Sequence, residues 1–206
     1  MRKTDRRYWS YHEEGHAVLA AALIDMPRIV TISRRGPIAG HTGYMALFCE
    51  PTKLVQVTLA GEAATQLLTG RIPEYFTMFD EPGLGRLRNS LANPNNSAMD
   101  PTFAFRVLKN NFKGLRAQVK QYVRCYAMSL DCLRSVWPLV DRVARALMAQ
   151  TTLNRSDLLD LIGDTDIYSP VFAVQAAHDD SKHDQLRVSA IGGRVPARVT
   201  KRTRVR

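Results

Sequence analysis

The sequence His-Glu-Glu-Gly-His at residues 12–16 constrains the fold most strongly, because its two histidines can act together only on a helix. Positions i and i+4 of a helix share one face, so a helix would place His12 and His16 side by side as ligands for one metal ion. Glu13 lies about a quarter turn away, where it reaches a water molecule rather than the same ion. The motif therefore predicts a hydrolytic zinc site in which Glu13 is the general base.

The residues around the motif set the expected bounds of this helix. Ser10 is the predicted N-cap, and Glu13, three residues later, completes a capping-box pattern. The apolar run at residues 17–24 continues the helix to about Asp25, and Pro27 ends it.

A small β-hairpin is expected next. The sequence RIVTIS at residues 28–33 alternates and is rich in β-branched side chains, which favours a strand. RRGPIAG at residues 34–40 reads as a turn, and HTGYMALF at residues 41–48 as a second strand that pairs antiparallel with the first.

The rest of the chain is expected to be helical, apart from an irregular loop at residues 71–99 that is rich in Pro, Gly and Asn. One helix is predicted over residues 52–69, with Gly70 as its stop. A second begins with Asp100 as N-cap and Pro101, and its apolar side runs to Val123. Two more are predicted over about 131–149 and over 156–162, the last with Asn154 or Ser156 as its cap. The predicted fold class is therefore mainly α, with a small β element beside the histidine helix.

A catalytic zinc ion usually has three protein ligands, so two histidines do not complete the site. The pattern of residues offers Glu62, Asp100, His41 and Asp80 as the third ligand. Each also has an ordinary role, such as capping a helix or lying on its surface, and composition alone does not choose among them.

The charge of the chain divides it into two parts. The net charge is +10, but seven Lys or Arg and no acidic residue lie between Arg187 and Arg206. We therefore expect one domain over residues 1–178 and a basic, disordered tail over 179–206. Such a tail can make weak, salt-sensitive contacts with nucleic acid.

Other features exclude several classes of protein. No apolar run approaches the roughly 20 residues that cross a bilayer, and the basic start is not followed by an apolar stretch, so a cytoplasmic protein without membrane insertion is expected. Cys49, Cys125 and Cys132 show no metal or redox spacing, and we expect free, buried thiols. The chain also has no phosphate-binding loop of the P-loop ATPases.

Six segments occur in an order that resembles one family of proteases. They are YHEEGHA at residues 11–17, VTISRRG at 30–36 with TGYMALF at 42–48, AGEAATQLLTG at 60–70, SAMDPTFAF at 97–105, and TTLNRSDLLDLI at 151–162. Together they are similar to the protease domain of the FtsH-type AAA+ zinc metalloproteases, over roughly residues 8–163. By this resemblance His12, His16 and Asp100 are the zinc ligands and Glu13 is the base.

The resemblance also implies a function, although the family's ATPase module and membrane anchor are missing from this sequence. We expect a zinc metalloendopeptidase that cleaves flexible or unfolded polypeptides, with a separate ATPase as a candidate partner. The segment at residues 43–47 is expected to align a substrate by strand addition. The alternative is a catalytically silent, protease-like module that binds a protein partner. The sequence leaves the oligomeric state open.

Overall fold

The computed structural model describes residues 6–33, 40–46, 49–72 and 100–180. Within these ranges the chain forms seven helices and one three-stranded antiparallel sheet, so the prediction of a mainly helical fold with a small β element is confirmed. In chain order the elements are α1 (Arg6–Leu23), β1 (Ile29–Thr31), β2 (His41–Gly43), α2 (Pro51–Thr69), α3 (Asp100–Asn111), α4 (Leu115–Ser135), α5 (Trp137–Gln150), β3 (Thr152–Asn154), α6 (Arg155–Ile162) and α7 (Tyr168–Asp180).

Helix α1 begins earlier than predicted, and the assignment of Ser10 as its N-cap is wrong. The helix is already formed at Arg6, and the Ser10 hydroxyl donates a hydrogen bond of 2.9 Å to the Arg6 carbonyl oxygen one turn before it. A serine inside a helix satisfies its hydroxyl in this way, so a capping-box pattern also occurs where no helix begins. The earlier start adds a turn of helix, with Tyr8 and Trp9, in front of the motif.

The expected hairpin is present, and a third strand joins it. Strand β1 pairs antiparallel with β2, with Val30 opposite Thr42, and on its other side with β3, with Val30 opposite Leu153. The strands have three residues each, shorter than predicted, and residues 34–39 of the expected turn lie outside the described residues. Because β1 is central, β2 forms an edge of the sheet within the described part of the chain.

The helix boundaries between Asp100 and Gln150 differ from the prediction. The helix that begins at Asp100 ends at Asn111, and a new helix then runs without a break from Leu115 to Ser135. Gly114 separates the two helices with φ of 85° and ψ of 139°, a backbone conformation that favours glycine. Apolar positions keep their helical spacing across this turn, so periodicity alone did not reveal it.

Two predicted helix ends are confirmed. Helix α2 ends at Gly70, which is left-handed (φ 68°) and donates its backbone N–H to the Gln66 carbonyl oxygen. Asn154 caps α6 through a capping box with Asp157. Helix α7 was not expected, and the basic tail from residue 181 onward, like residues 73–99 of the long loop, lies outside the described residues.

Helix α1 lies between α2 and α5, and its close contact with α2 sets the geometry of the site. A Cβ added at Gly15 would lie 2.4 Å from the Ala60 carbonyl oxygen, so only glycine allows the two backbones to approach this closely. Residues 17–20 of α1 are fully buried, and each buried leucine such as Leu19 contributes roughly 2 kcal/mol. The histidine-bearing turn is therefore held firmly against α2.

Two other expectations concern membranes and thiols. No helix within the described ranges is long and apolar enough to cross a bilayer. All three cysteines are free thiols; Cys125 and Cys132 are buried as expected, whereas Cys49 is only half-buried.

Candidate metal centre

Three side chains from two distant parts of the chain meet beside α2. The Nε2 atoms of His12 and His16 lie 3.0 and 3.1 Å from the same carboxylate oxygen, Oδ2 of Asp100, and 3.3 Å from each other. The histidines come from adjacent turns of α1, and Asp100 is the first residue of α3. The histidine residues are 6% exposed, and one third of the Asp100 side chain is exposed. This cluster can hold a metal ion.

The spacing of these atoms fits a small divalent ion. Ligand atoms about 2.1 Å from a tetrahedral zinc ion lie about 3.4 Å from one another, close to the separations in this cluster. Gly61 of α2 leaves the space open, because a Cβ at that position would lie 2.5 Å from His16 Nε2 and 2.8 Å from His12 Nε2. The donor set and the room around it therefore both suit a metal ion.

The two imidazoles are held in different ways. The Nδ1 atom of His16 lies 2.8 Å from the Val57 carbonyl oxygen, so Nδ1–H donates to the backbone and Nε2 faces the cluster. The Nδ1 atom of His12 is buried and has no hydrogen-bond partner in the described structure. Its ring is fixed instead by packing against Tyr8 and Trp9, whose ring centroids lie 6.2 and 5.3 Å away.

These two aromatic residues were missed by the sequence reasoning. They lie four and three residues before His12, on the same side of the helix, and this spacing was a signal that they would pack against it.

The charges in the cluster are coupled. Burial opposes the ionised form of Asp100, but the two histidine rings outweigh it and hold the pKa of this carboxyl far below its usual range. Burial lowers the pKa of His16, but Asp100 raises this pKa, and the net pKa is about 9. The carboxylate and a protonated imidazole therefore neutralise each other, and a metal ion that binds must displace that proton.

Glu13 occupies a fixed position next to the cluster. Its carboxylate oxygen Oε2 accepts a hydrogen bond of 2.8 Å from the hydroxyl of Thr42 on β2, which also donates to the Glu13 carbonyl oxygen at 3.0 Å. Gly40 packs closely on this side chain, since a Cβ there would lie 2.4 Å from Oε1. Thr42 on β2 and Gly40 just before this strand therefore orient Glu13, the residue that the motif assigns as the base.

The next residue along the helix, Glu14, received no role from the sequence and stands in a very different environment. It is fully buried, and neither of its carboxyl oxygens has a hydrogen-bond partner in the described structure. Burial raises the pKa of Glu14 well above its ordinary value, and the charge of Glu13 raises it further. The surroundings of Glu14 therefore favour its protonated form.

The remaining ligand candidates do not join the cluster. His41 is exposed on β2, and Glu62 lies on α2 outside the group of atoms around His12 and His16. Asp80 lies outside the described residues. Of the four residues that the pattern offered, the structure thus brings Asp100 to the histidines.

Comparison with known proteins adds no family to this geometry. A scan against protein-family models and a search of the curated proteins both found no match to the chain. The resemblance to the FtsH-type protease domain thus stays a prediction that rests on its motifs.

Proposed function

We propose that the protein is a zinc-dependent endopeptidase that hydrolyses flexible or unfolded polypeptides. The observation that carries this proposal is the convergence of His12, His16 and Asp100, with atoms 3.0–3.3 Å apart, next to a glutamate that a hydrogen bond holds in place. Two imidazoles and one carboxylate are a ligand set of catalytic zinc sites, which keep a further position open.

The residues divide the chemistry between them. His12, His16 and Asp100 would hold the ion, which when bound supplies a Lewis acid that polarises a peptide carbonyl and acidifies a water molecule. Glu13 would accept the proton of a water molecule that attacks the peptide carbonyl and would pass this proton to the leaving amine. Thr42 keeps the Glu13 carboxylate on the side of the helix where these transfers take place.

The edge strand suggests how a substrate would be bound. Strand β2 forms the outer edge of the described sheet and carries Thr42, so an extended peptide paired with this edge would run past Glu13. Strand addition needs an extended backbone, and a folded domain does not offer one. This geometry favours flexible or unfolded chains, and a separate ATPase that unfolds substrates would widen their range.

Zinc content and cleavage in a matched pair of variants test the proposal. Asp100→Ala removes a ligand, whereas Asp160→Ala removes an exposed aspartate of α6 that lies outside the cluster. We expect wild type and Asp160→Ala to hold one equivalent of zinc and to cut a dye-labelled unfolded protein. Asp100→Ala should lose both properties, and a chelator should abolish cleavage by wild type until zinc is restored. Cleavage by Asp100→Ala or by the chelated protein would exclude a zinc mechanism, and zinc binding by wild type without cleavage would favour a silent binding module.

A further inference from the structure

Helices α3 and α4 carry a stripe of positive charge that the metal centre does not use. Six residues form it: Arg106, Lys109, Lys113, Arg116, Lys120 and Arg124. All six are exposed, and no Asp or Glu occurs from residue 101 to residue 130. We refer to these six residues as the basic face.

The spacing of the charges places three of them on one side of α4. Arg116, Lys120 and Arg124 follow each other at intervals of four residues on α4, so they lie on one face over about 12 Å. Arg106 and Lys109 are three residues apart on α3, and Lys113 lies in the turn that joins the two helices. The six charges therefore follow one another at intervals of three or four residues along the chain.

Four of the six charges in this stripe are not neutralised by a described carboxylate. Arg106, Lys109, Lys113 and Arg116 form no ion pair with a described carboxylate. Arg124 donates a hydrogen bond to the His178 carbonyl oxygen.

The charge balance of the whole chain shows how uneven the distribution is. The net charge of +10 falls to +3 without the seven basic residues of the tail, and to −3 without the basic face as well. The net charge of +3 before the tail is thus the sum of six positive charges on the basic face and a net charge of −3 on the rest of that part.

The chemistry of this surface favours one class of partner. A nucleic acid strand presents a phosphate charge about every 3.4 Å, so several cations of the stripe can contact phosphates at once. A membrane-surface helix instead needs an exposed apolar side, but the apolar side of α4 is buried in the core. Phe103 is the one large apolar side chain exposed on the described residues of α3 and α4.

We propose that the basic face binds the sugar-phosphate backbone of nucleic acid, without reading its sequence and independently of the metal centre. The contacts are charge-assisted hydrogen bonds from arginine and lysine to phosphate oxygens. This surface belongs to the folded domain and is distinct from the basic tail.

Two equally charged variants of the full-length protein test this proposal. The first reverses three residues of the basic face, with Lys109→Glu, Lys113→Glu and Arg116→Glu. The control reverses three exposed arginines outside the basic face, with Arg28→Glu, Arg71→Glu and Arg145→Glu. Binding of a labelled 30-nucleotide single strand and of its duplex is measured between 50 and 200 mM salt, and circular dichroism and zinc content report folding.

We expect wild type to bind both probes, and the basic-face variant to bind at least tenfold more weakly at ~100 mM salt with its fold retained. Its dependence on salt for the single strand should fall by about two ions, since each phosphate contact contributes about 0.7. The control should lose less than threefold. Absence of binding by wild type, unchanged binding by the basic-face variant or an equal loss in the control would overturn the proposal. So would binding of vesicles with 30% anionic lipid, or of a polyglutamate peptide, in place of both probes.

Discussion

Helix α1 presents two neighbouring carboxyl groups to opposite environments. The carboxylate of Glu13 accepts a hydrogen bond from Thr42 and lies next to the histidines, whereas the carboxyl group of Glu14 is fully buried without a hydrogen-bond partner in the described structure. The two residues have the same chemistry and differ by one position. Glu13 thus has a polar partner on β2, whereas burial raises the pKa of Glu14.

The motif alone therefore does not define the role of a glutamate within it. The side chain of a base must keep a fixed direction, and the hydrogen bond from Thr42 of β2 provides one for the Glu13 carboxylate. Glu14 has lost its hydration without gaining a partner, which is a cost to stability. The side of α1 that carries the histidines thus gives its carboxylate a hydrogen-bond partner, whereas the buried Glu14 lowers the free energy of unfolding.

The largest effect should come from filling the space in front of the histidines. Gly61→Ala places a Cβ within 2.5 Å of His16 Nε2, which forces the ligands apart. We expect zinc affinity to fall at least a hundredfold, measured by competition with a chromogenic chelator, and cleavage to fall with it. Gly70→Ala at the end of the same helix is the control, and it should cost about 1 kcal/mol of stability while zinc stays bound. Normal zinc affinity in Gly61→Ala would show that the ion is held elsewhere.

The next effect concerns the Glu14 side of the helix and is a gain in stability. Glu14→Met replaces a buried carboxyl group without a partner by an apolar side chain of similar size, and should raise the free energy of unfolding by about 2 kcal/mol at pH 7. Chemical denaturation measures the change, and Asp160→Met at an exposed position should stay within about 0.5 kcal/mol.

This gain should depend on pH in a definite direction. The pKa of Glu14 is raised in the folded protein above its unfolded value of about 4.3, so wild type loses stability as pH rises from about 4 towards the raised value. Glu14→Met lacks this titration, and its advantage should grow over the same range. A Glu14→Met protein less stable than wild type at every pH would show that the carboxyl group has a partner.

The smallest effect should follow from loosening the base. Thr42→Val removes the hydroxyl that holds Glu13 but leaves the ligands in place, so cleavage should fall about fivefold with zinc content unchanged. Thr31→Val is the matched control, because the Thr31 hydroxyl bonds to the Thr151 carbonyl oxygen on the far side of the sheet. If both variants lose the same activity per folded molecule, the contact with Thr42 does not orient the base.

Local features of the site could be predicted from the sequence, and features that depend on distant contacts could not. The pairing of His12 and His16 follows from helix geometry alone. Asp100 is separated from His12 by 88 residues, so pattern left it among four candidates and only the family resemblance selected it. The environment of Glu14 depends on what packs around the helix, and no local pattern reports that.

The same dependence on distant contacts explains the errors in the predicted fold. The capping pattern at Ser10 is satisfied inside a longer helix, and the turn at Gly114 interrupts an apolar periodicity that continues on both sides. Strand β3 has three residues and exists because β1 offers it an edge, which its own sequence does not show.

The most direct test of the account compares cleavage by wild type, Glu13→Gln and Glu14→Gln, with zinc content measured on each sample. We predict that all three hold one zinc ion, that Glu13→Gln cuts an unfolded protein about a thousandfold more slowly, and that Glu14→Gln stays within about threefold of wild type. Undiminished cleavage by zinc-loaded Glu13→Gln, or an equal loss in Glu14→Gln with zinc in place, would contradict the assignment of Glu13 as the base.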